Sequence, residues 1–374
     1  MSTVKRITSA AVSGVMLISA YGTAVFAADK SETSFKADIS QYDSSMSLVS
    51  YSDTGLNTSG TTPEAESRRI RLRDISPSLS ANPAMSRVRS EEIRPSEVAS
   101  KIQYVGTKSA PQRVSEINAD HGQFAFVTYG WGHGVGMSQN GANFYATYAG
   151  WDYSDILFHY YPDTYLVNTE IDEEEELTIA HEYYGTPIEV IAGIVFNEVG
   201  SSFNFEAIKA QAVAVYTYIR YNGNDSHDLR AKPDPPQIVI DACEAVYGEA
   251  LFYNDNYALT MFSASCGGCS ANSYEVFYAN LPYLRSVPSD YDEAYDPHWG
   301  TVTYMDAEEV KQKIEEKYEV ILSGNPENWI QPVYSPTTGY VTEVNIDGQK
   351  TVKGYPFSYD IGLKSGKFNV TYTP

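Results

Sequence analysis

The sequence predicts an α+β fold: a single domain of mixed helices and antiparallel β segments behind a disordered N-terminal region. Three observations carry this. Two adjacent segments in the middle of the chain keep a helical period, one through Ile191, Ile194 and Val195 and the next over 205–221. Towards the C-terminus the pattern changes to strand alternation, as in Val341–Ile346 and Phe368–Tyr372. Residues 28–120 are rich in Ser and Thr, carry scattered charges and lack a sustained apolar period, so they offer little to a core.

Taken in order, residues 1–27 read as a secretory signal peptide. Lys5 and Arg6 precede the apolar run Ile7–Ala20, and Val25-Phe26-Ala27 supplies small residues for cleavage before Ala28. The alternative is an uncleaved span that anchors an exoplasmic domain in the membrane. Either way the rest of the chain is expected to be exported or exoplasmic. In the 28–120 spacer, Arg68-Arg69-Ile70-Arg71-Leu72-Arg73 is a basic island, expected to be a solvated charge run.

Folded character is expected over 121–374. A strand at Phe124–Thr128 leads into Gly130–Gly141, where five glycines surround one Trp and one His: Gly-Trp-Gly-His-Gly-Val-Gly-Met-Ser-Gln-Asn-Gly. If extended, the block would put Gly130, Gly132, Gly134 and Gly136 on one face and Trp131, His133, Val135 and Met137 on the other. A face of bare backbone suits close approach by another chain or a ligand; a glycine-rich loop before a helix is the plainer reading. No phosphate-cradling spacing is present. Helices are expected over Asn143–Tyr148 and Asp155–Tyr160, completing a segment at 121–170. The run Asp172-Glu173-Glu174-Glu175-Glu176 marks an acidic linker at 171–182.

The best helix start follows, opening a core segment at 183–290. Thr186 can cap, Pro187 suits the first helical position, Glu189 completes a capping box, and Gly200 ends the helix. A second helix covers Phe205–Tyr221 and closes at Asn222-Gly223. From Ile238 onward β segments are expected to dominate (250–253, 257–264, 282–287). In the C-terminal part, 291–374, one amphipathic helix over 306–318 interrupts the strands.

A net charge of −22 speaks against nucleic acid, which needs Lys and Arg to neutralise phosphates, and suits a neutral polysaccharide. The 31 tyrosines against 14 phenylalanines offer apolar faces with polar tips, equally apt for a sugar groove or an ordinary exported surface. The stripe Ile191, Ile194, Val195 continues onto Glu198. A carboxylate there should have a raised pKa, as a general acid needs, unless it turns to solvent at the helix end. Gln211 falls among Ile208, Val215, Tyr218 and Ile219, as either a structural crosslink or part of a site. Cys243, Cys266 and Cys269 suggest one disulfide and a free thiol. A zinc set completed by His227 matches no strong spacing, so no cofactor is expected. No Gly-x-Ser-x-Gly elbow exists, and His133 alone is more often a packed histidine than a catalyst.

Together, Val190–Glu198, Glu206–Ala214, Ser263–Gly268, Pro282–Val287 and Gly132–Gln139 resemble the stage II sporulation protein D / LytB family of bacterial cell-wall proteins. The resemblance implies a lytic transglycosylase acting on peptide-stripped peptidoglycan strands, with Glu198 as acid/base. It also implies that His133, Ser138, Gln139, Gln211 and Ser265 line the substrate cleft. An N-acetylmuramoyl-L-alanine amidase is the implied partner if the protein instead acts as a non-catalytic amidase enhancer.

The chain departs from the family in three respects. The Gly-His-Gly-Val-Gly-Met-Ser-Gln block comes first rather than last, as in a circular permutation, with the acidic linker joining the old end near Tyr165 to the old start near Ile188. Tyr216 stands where the family has arginine, with Arg220 one turn on as a candidate replacement. Cys266 replaces a serine, and Cys269 is added.

Overall fold

The computed structural model describes residues 70–72 and 117–374, apart from residues 170, 172, 173, 181, 182, 227 and 278. The signal peptide, His227 and all of the 28–120 spacer except 70–72 and 117–120 lie outside them. The expected α+β class is what the described residues form.

Helices α1 (Gln139–Phe144), α2 (Tyr153–Tyr160), α3 (Pro187–Val199), α4 (Phe205–Tyr221) and α5 (Gln237–Ala245) belong to the larger of two hydrophobic cores. At the start of α3 the Glu189 carboxylate accepts the Thr186 N–H at 3.0 Å, as the sequence anticipates, and Gly200 ends the helix at φ +67°. Ile191, Ile194 and Val195 are buried. So is the whole α4 stripe Ile208, Gln211, Val215, Tyr218 and Ile219. The second core gathers Phe124, Phe126, Val310, Ile314, Val344, Phe357 and Phe368 beneath the helices α8 (Ala307–Tyr318) and α9 (Gly354–Asp360). Between α5 and α8 lie two short helices, α6 (Ser273–Val276) and α7 (Asp292–Tyr295).

Strand Gln123–Thr128 is the central strand of an antiparallel sheet, with Thr301–Asp306 on one side and Phe368–Thr373 on the other. The Gly122 N–H donates to the Thr373 carbonyl at 2.8 Å, so the start of the Gln123–Thr128 strand and the end of Phe368–Thr373 lie side by side.

Several expectations are corrected. Ile238-Val239-Ile240, read as the start of β structure, lies in α5. Burial of Val239, Ile240, Ala242 and Cys243 outweighs the β preference of the branched residues. Residues 282–287 form no strand. The 257–264 strand is two short pieces, Asn256–Tyr257 and Phe262–Ser263. The helix expected at 143–148 begins at Gln139 and passes into a π-helical turn, Tyr145–Ala149.

The acidic linker is partly structural. Leu177–Ile179 is a strand, paired with Tyr183–Gly185 and with Asp225–Ser226. Within the basic island, Ile70–Arg71 pairs parallel with Tyr183–Tyr184 and Leu72 is buried in the core, while Arg68, Arg69 and Arg73 lie outside the described residues. No disulfide forms: Cys243, Cys266 and Cys269 are all free. Cys243 is buried in α5, the Cys266 thiol faces Asp292, and the Cys269 sulfur lies 3.5 Å from the Lys367 Nζ.

Candidate active site

Glu198 sits in the last turn of α3, one helical step beyond the buried stripe. The Gln139 Nε2 donates to its Oε2 at 3.0 Å, so the glycine block and the carboxylate helix meet although 59 residues separate the pair. The side chain is partly buried and keeps an open side. Burial raises its pKa from 4.5 to about 7, and the charge of Asp228 pushes in the same direction. Hydrogen bonds from Gln139 and Asn197 favour the ionised form and oppose the shift without cancelling it. The C-terminal end of α3 adds the negative pole of the helix dipole, which also disfavours a carboxylate there. The result is a carboxyl group that exchanges a proton near neutral pH.

Asp228 is the residue that sequence reasoning missed. It is buried, with Oδ2 accepting from the Tyr218 hydroxyl and Oδ1 from the Ser226 hydroxyl at 2.9 Å. The available signal was Tyr218, two turns beyond Gln211 on the same face of α4.

The glycine block is not an extended strand with a bare face. Gly130, Gly132, Gly134 and Gly136 all have positive φ, between 72° and 109°. Their missing side chains make room for protein. A Cβ on Gly130 would stand 2.6 Å from the Ser265 carbonyl oxygen, and one on Gly132 would stand 2.6 Å from the Ser263 Cβ. Trp131 and Ser265 exchange backbone hydrogen bonds, and Met137–Ser138 pairs parallel with Phe262–Ser263. The glycines therefore weld the block to 261–267 and set the start of α1 against Glu198.

The remaining site candidates fall in three positions. Ser138 is the N-cap of α1, where its Oγ accepts the Gly141 N–H at 3.0 Å, so this hydroxyl holds the helix that presents Gln139. His133 is buried, its Nδ1 accepts the Val135 N–H at 3.0 Å, and its ring packs on Phe277 and Tyr355. Burial lowers its pKa to about 4, so it is neutral at physiological pH. Gln211 and Ser265 are fully buried. Among the described residues, neither the Gln211 amide atoms nor the Ser265 and Ser263 hydroxyls have a hydrogen-bond partner.

Arg220, one turn on from Tyr216, points away from the side of α4 that carries Gln211, nine residues earlier. There it forms a forked ion pair with Glu175 and donates through Nε to the Tyr216 hydroxyl at 2.9 Å. That hydroxyl also lies 2.9 Å from the Thr169 Oγ1, so Tyr216 and Arg220 fasten the acidic segment to α4. Among the described residues, no three His, Cys, Asp or Glu side chains are grouped to hold a metal ion.

A family model described as "Stage II sporulation protein" matches residues 186–257, the segment holding α3, α4 and α5. Stage II sporulation protein D of Bacillus subtilis (strain 168) is 24% identical over 213 residues, covering 48% of this chain and 59% of the relative. Over residues 186–257 the chain is thus similar to the stage II sporulation protein family, and over about half its length to relatives named stage II sporulation protein D. The Bacillus amyloliquefaciens stage II sporulation protein D is 23% identical over 220 residues, covering 51% of this chain and 62% of its own. An amidase enhancer of Bacillus subtilis (strain 168) is 32% identical over 129 residues, covering 33% of this chain and 18% of its own. The chain thus spans about three fifths of the stage II sporulation protein D relatives. The family segment contains Glu198 and Gln211 but not the glycine block, which reaches it through Gln139.

Proposed function

We propose that the protein is an exported peptidoglycan lytic transglycosylase that cleaves MurNAc–GlcNAc bonds of peptide-stripped glycan strands, in sporulation or cell-wall remodelling. The observation that carries this reading is the Glu198 carboxyl, raised to about 7 and held by Gln139. Protonated, it donates to the glycosidic oxygen as the bond breaks. The carboxylate left behind then takes the proton from the MurNAc C6 hydroxyl, whose oxygen closes the 1,6-anhydro ring. Atoms and protons balance without water, so one carboxyl suffices, unlike the two-carboxylate scheme of ordinary glycosidases. The state of Asp228 supports this economy: both of its oxygens are occupied by hydroxyls, so it is not presented as a second base.

The motif order is read as a circular permutation. Its support is the antiparallel pairing of Phe368–Thr373 with Gln123–Thr128, in which Thr373 stands opposite Gln123, as in a hairpin opened at its turn.

The test incubates wild type and Glu198→Ala with peptide-free glycan strands and weighs the products. Anhydro-ended fragments from the wild type alone support the reading. None from either, with strand binding intact, leaves the second reading, a wall-binding amidase enhancer acting with an N-acetylmuramoyl-L-alanine amidase. Tyr216 favours that reading because it fills the position of the family's arginine.

Two further outcomes are expected. Gln139→Ala removes a donor to the ionised carboxylate, so the basic limb of the pH–rate profile moves to higher pH while the maximal rate falls roughly tenfold. An unmoved limb would contradict the hydrogen bond's role. Tyr216→Arg does not raise activity. It puts a second guanidinium beside Arg220 in a position only 2% exposed, and denaturant titration should show a loss of about 2–4 kcal/mol.

A further inference from the structure

An exposed aromatic cluster borders the face of α1 that carries Gln139. Tyr148 and Tyr295 are 50% and 48% exposed, too open to be core, yet their rings stack at 4.3 Å with an interplanar angle of 21°. Phe144 and Tyr291 flank both rings, with centroids 5.6–6.3 Å away. The cluster is anchored from below. Tyr145 stacks on Trp151 at 4.1 Å and accepts the Asp290 N–H through its hydroxyl at 3.1 Å.

The path from this cluster to Glu198 follows from helical spacing. Gln139 and Asn143 share one face of α1, touching Glu198 and the Asn204 N–H respectively. Asn140 and Phe144 share the adjacent face, touching Asp296 and Tyr295. Tyr148 continues that second face through the π-helical turn, a device common at functional sites. Gln139 and Tyr148 are therefore separated by roughly 13 Å along the helix.

We propose that Phe144, Tyr148, Tyr291 and Tyr295 form a stacking subsite for a neutral N-acetylhexosamine ring of a glycan strand, beyond the bond that Glu198 attacks. The rings offer π faces to the apolar C–H face of a sugar and hydroxyl tips to its rim. The acidic neighbours Asp290, Glu293 and Asp296 repel the lactyl carboxylate that each peptide-stripped MurNAc carries, so the ring that stacks here is the neutral GlcNAc; they also disfavour anionic membranes as occupants. The inference rests on the glycan reading above, whichever of its two forms holds.

The test measures binding in the Glu198→Gln background, so that strands stay intact, using long peptide-free glycan strands and the single disaccharide repeat. Tyr148→Ala/Tyr295→Ala is expected to reduce the preference for long strands over the disaccharide roughly tenfold, and Tyr148→Phe/Tyr295→Phe to retain it. Unchanged circular dichroism keeps misfolding out of the comparison. An undiminished preference in the alanine pair overturns the subsite while leaving transglycosylase activity to stand on its own products. A lost preference in a protein that makes no anhydro ends upholds the subsite and removes the enzyme. If neither strand nor disaccharide binds, both fall. If sedimentation shows that the cluster closes a dimer which the alanine pair dissociates, the patch is a self-association surface and the subsite is wrong.

Discussion

Glu198→Gln is expected to lower the release of anhydro-ended fragments at least ~10³-fold, within the range that a positioned general acid–base contributes. Glutamine keeps the shape and can still pair with the Gln139 amide, but it cannot give or take the proton. The same substitution should stabilise the fold above neutrality. The folded-state pKa of Glu198 is about 7 against an ordinary 4.5, so the folded protein binds this proton more tightly than the unfolded chain does. The stability gained in this way is fully present below pH 4.5 and is lost as pH rises through 7. Glutamine does not ionise, so the variant should gain on the order of 1–3 kcal/mol over wild type at pH 8 and nothing near pH 4. Thermal melts across that range read the difference. An equal gain at both ends would mean that the carboxylate is not destabilising the fold.

The second large effect is on folding. Gly136→Ala is expected to cost about 2–5 kcal/mol, enough to unfold much of the protein at modest temperature. Gly136 has φ +73°, and a Cβ there would overlap the Met261 carbonyl, which is backbone and cannot swing away. Gly150→Ala is the control. Its φ is +69°, but no atom lies within 4 Å of the added carbon, so only the backbone strain of about 1 kcal/mol should appear. Equal losses in the two variants would show that packing against 261–267 does not dictate the glycine. A Gly136→Ala protein with wild-type stability would contradict the backbone geometry of the block.

Helices α3 and α4 were legible because local rules and tertiary packing agree in them, whereas the start of α1 at Gln139 was not. Pro187, Glu189 and Gly200 mark the ends of α3, and the apolar period of α4 runs unbroken from Phe205 to Tyr221. Glu198 was legible for the same reason: a carboxylate at the end of a buried stripe has a distinctive position. Agreement fails at α5, where the branched run Ile238-Val239-Ile240 favours a strand locally but is packed as a helix against α3 and α4. The glycine block was readable as unusual, but not as what it is. The residues packed closest against Gly130, Gly132 and Gly136 lie at 261–267, and the one against Gly134 is Tyr340, all more than a hundred positions further along. Asp228 and the grip of Arg220 on Glu175 are likewise set by contacts between distant segments, which no periodicity encodes.

The acid–base role of Glu198 turns on one titration. The carbon-13 shift of the Glu198 carboxyl, assigned by its loss in Glu198→Gln, should follow a midpoint near pH 7. A midpoint at the ordinary 4.5 would contradict it, leaving a carboxylate already ionised at neutral pH and no acid for the cleavage step.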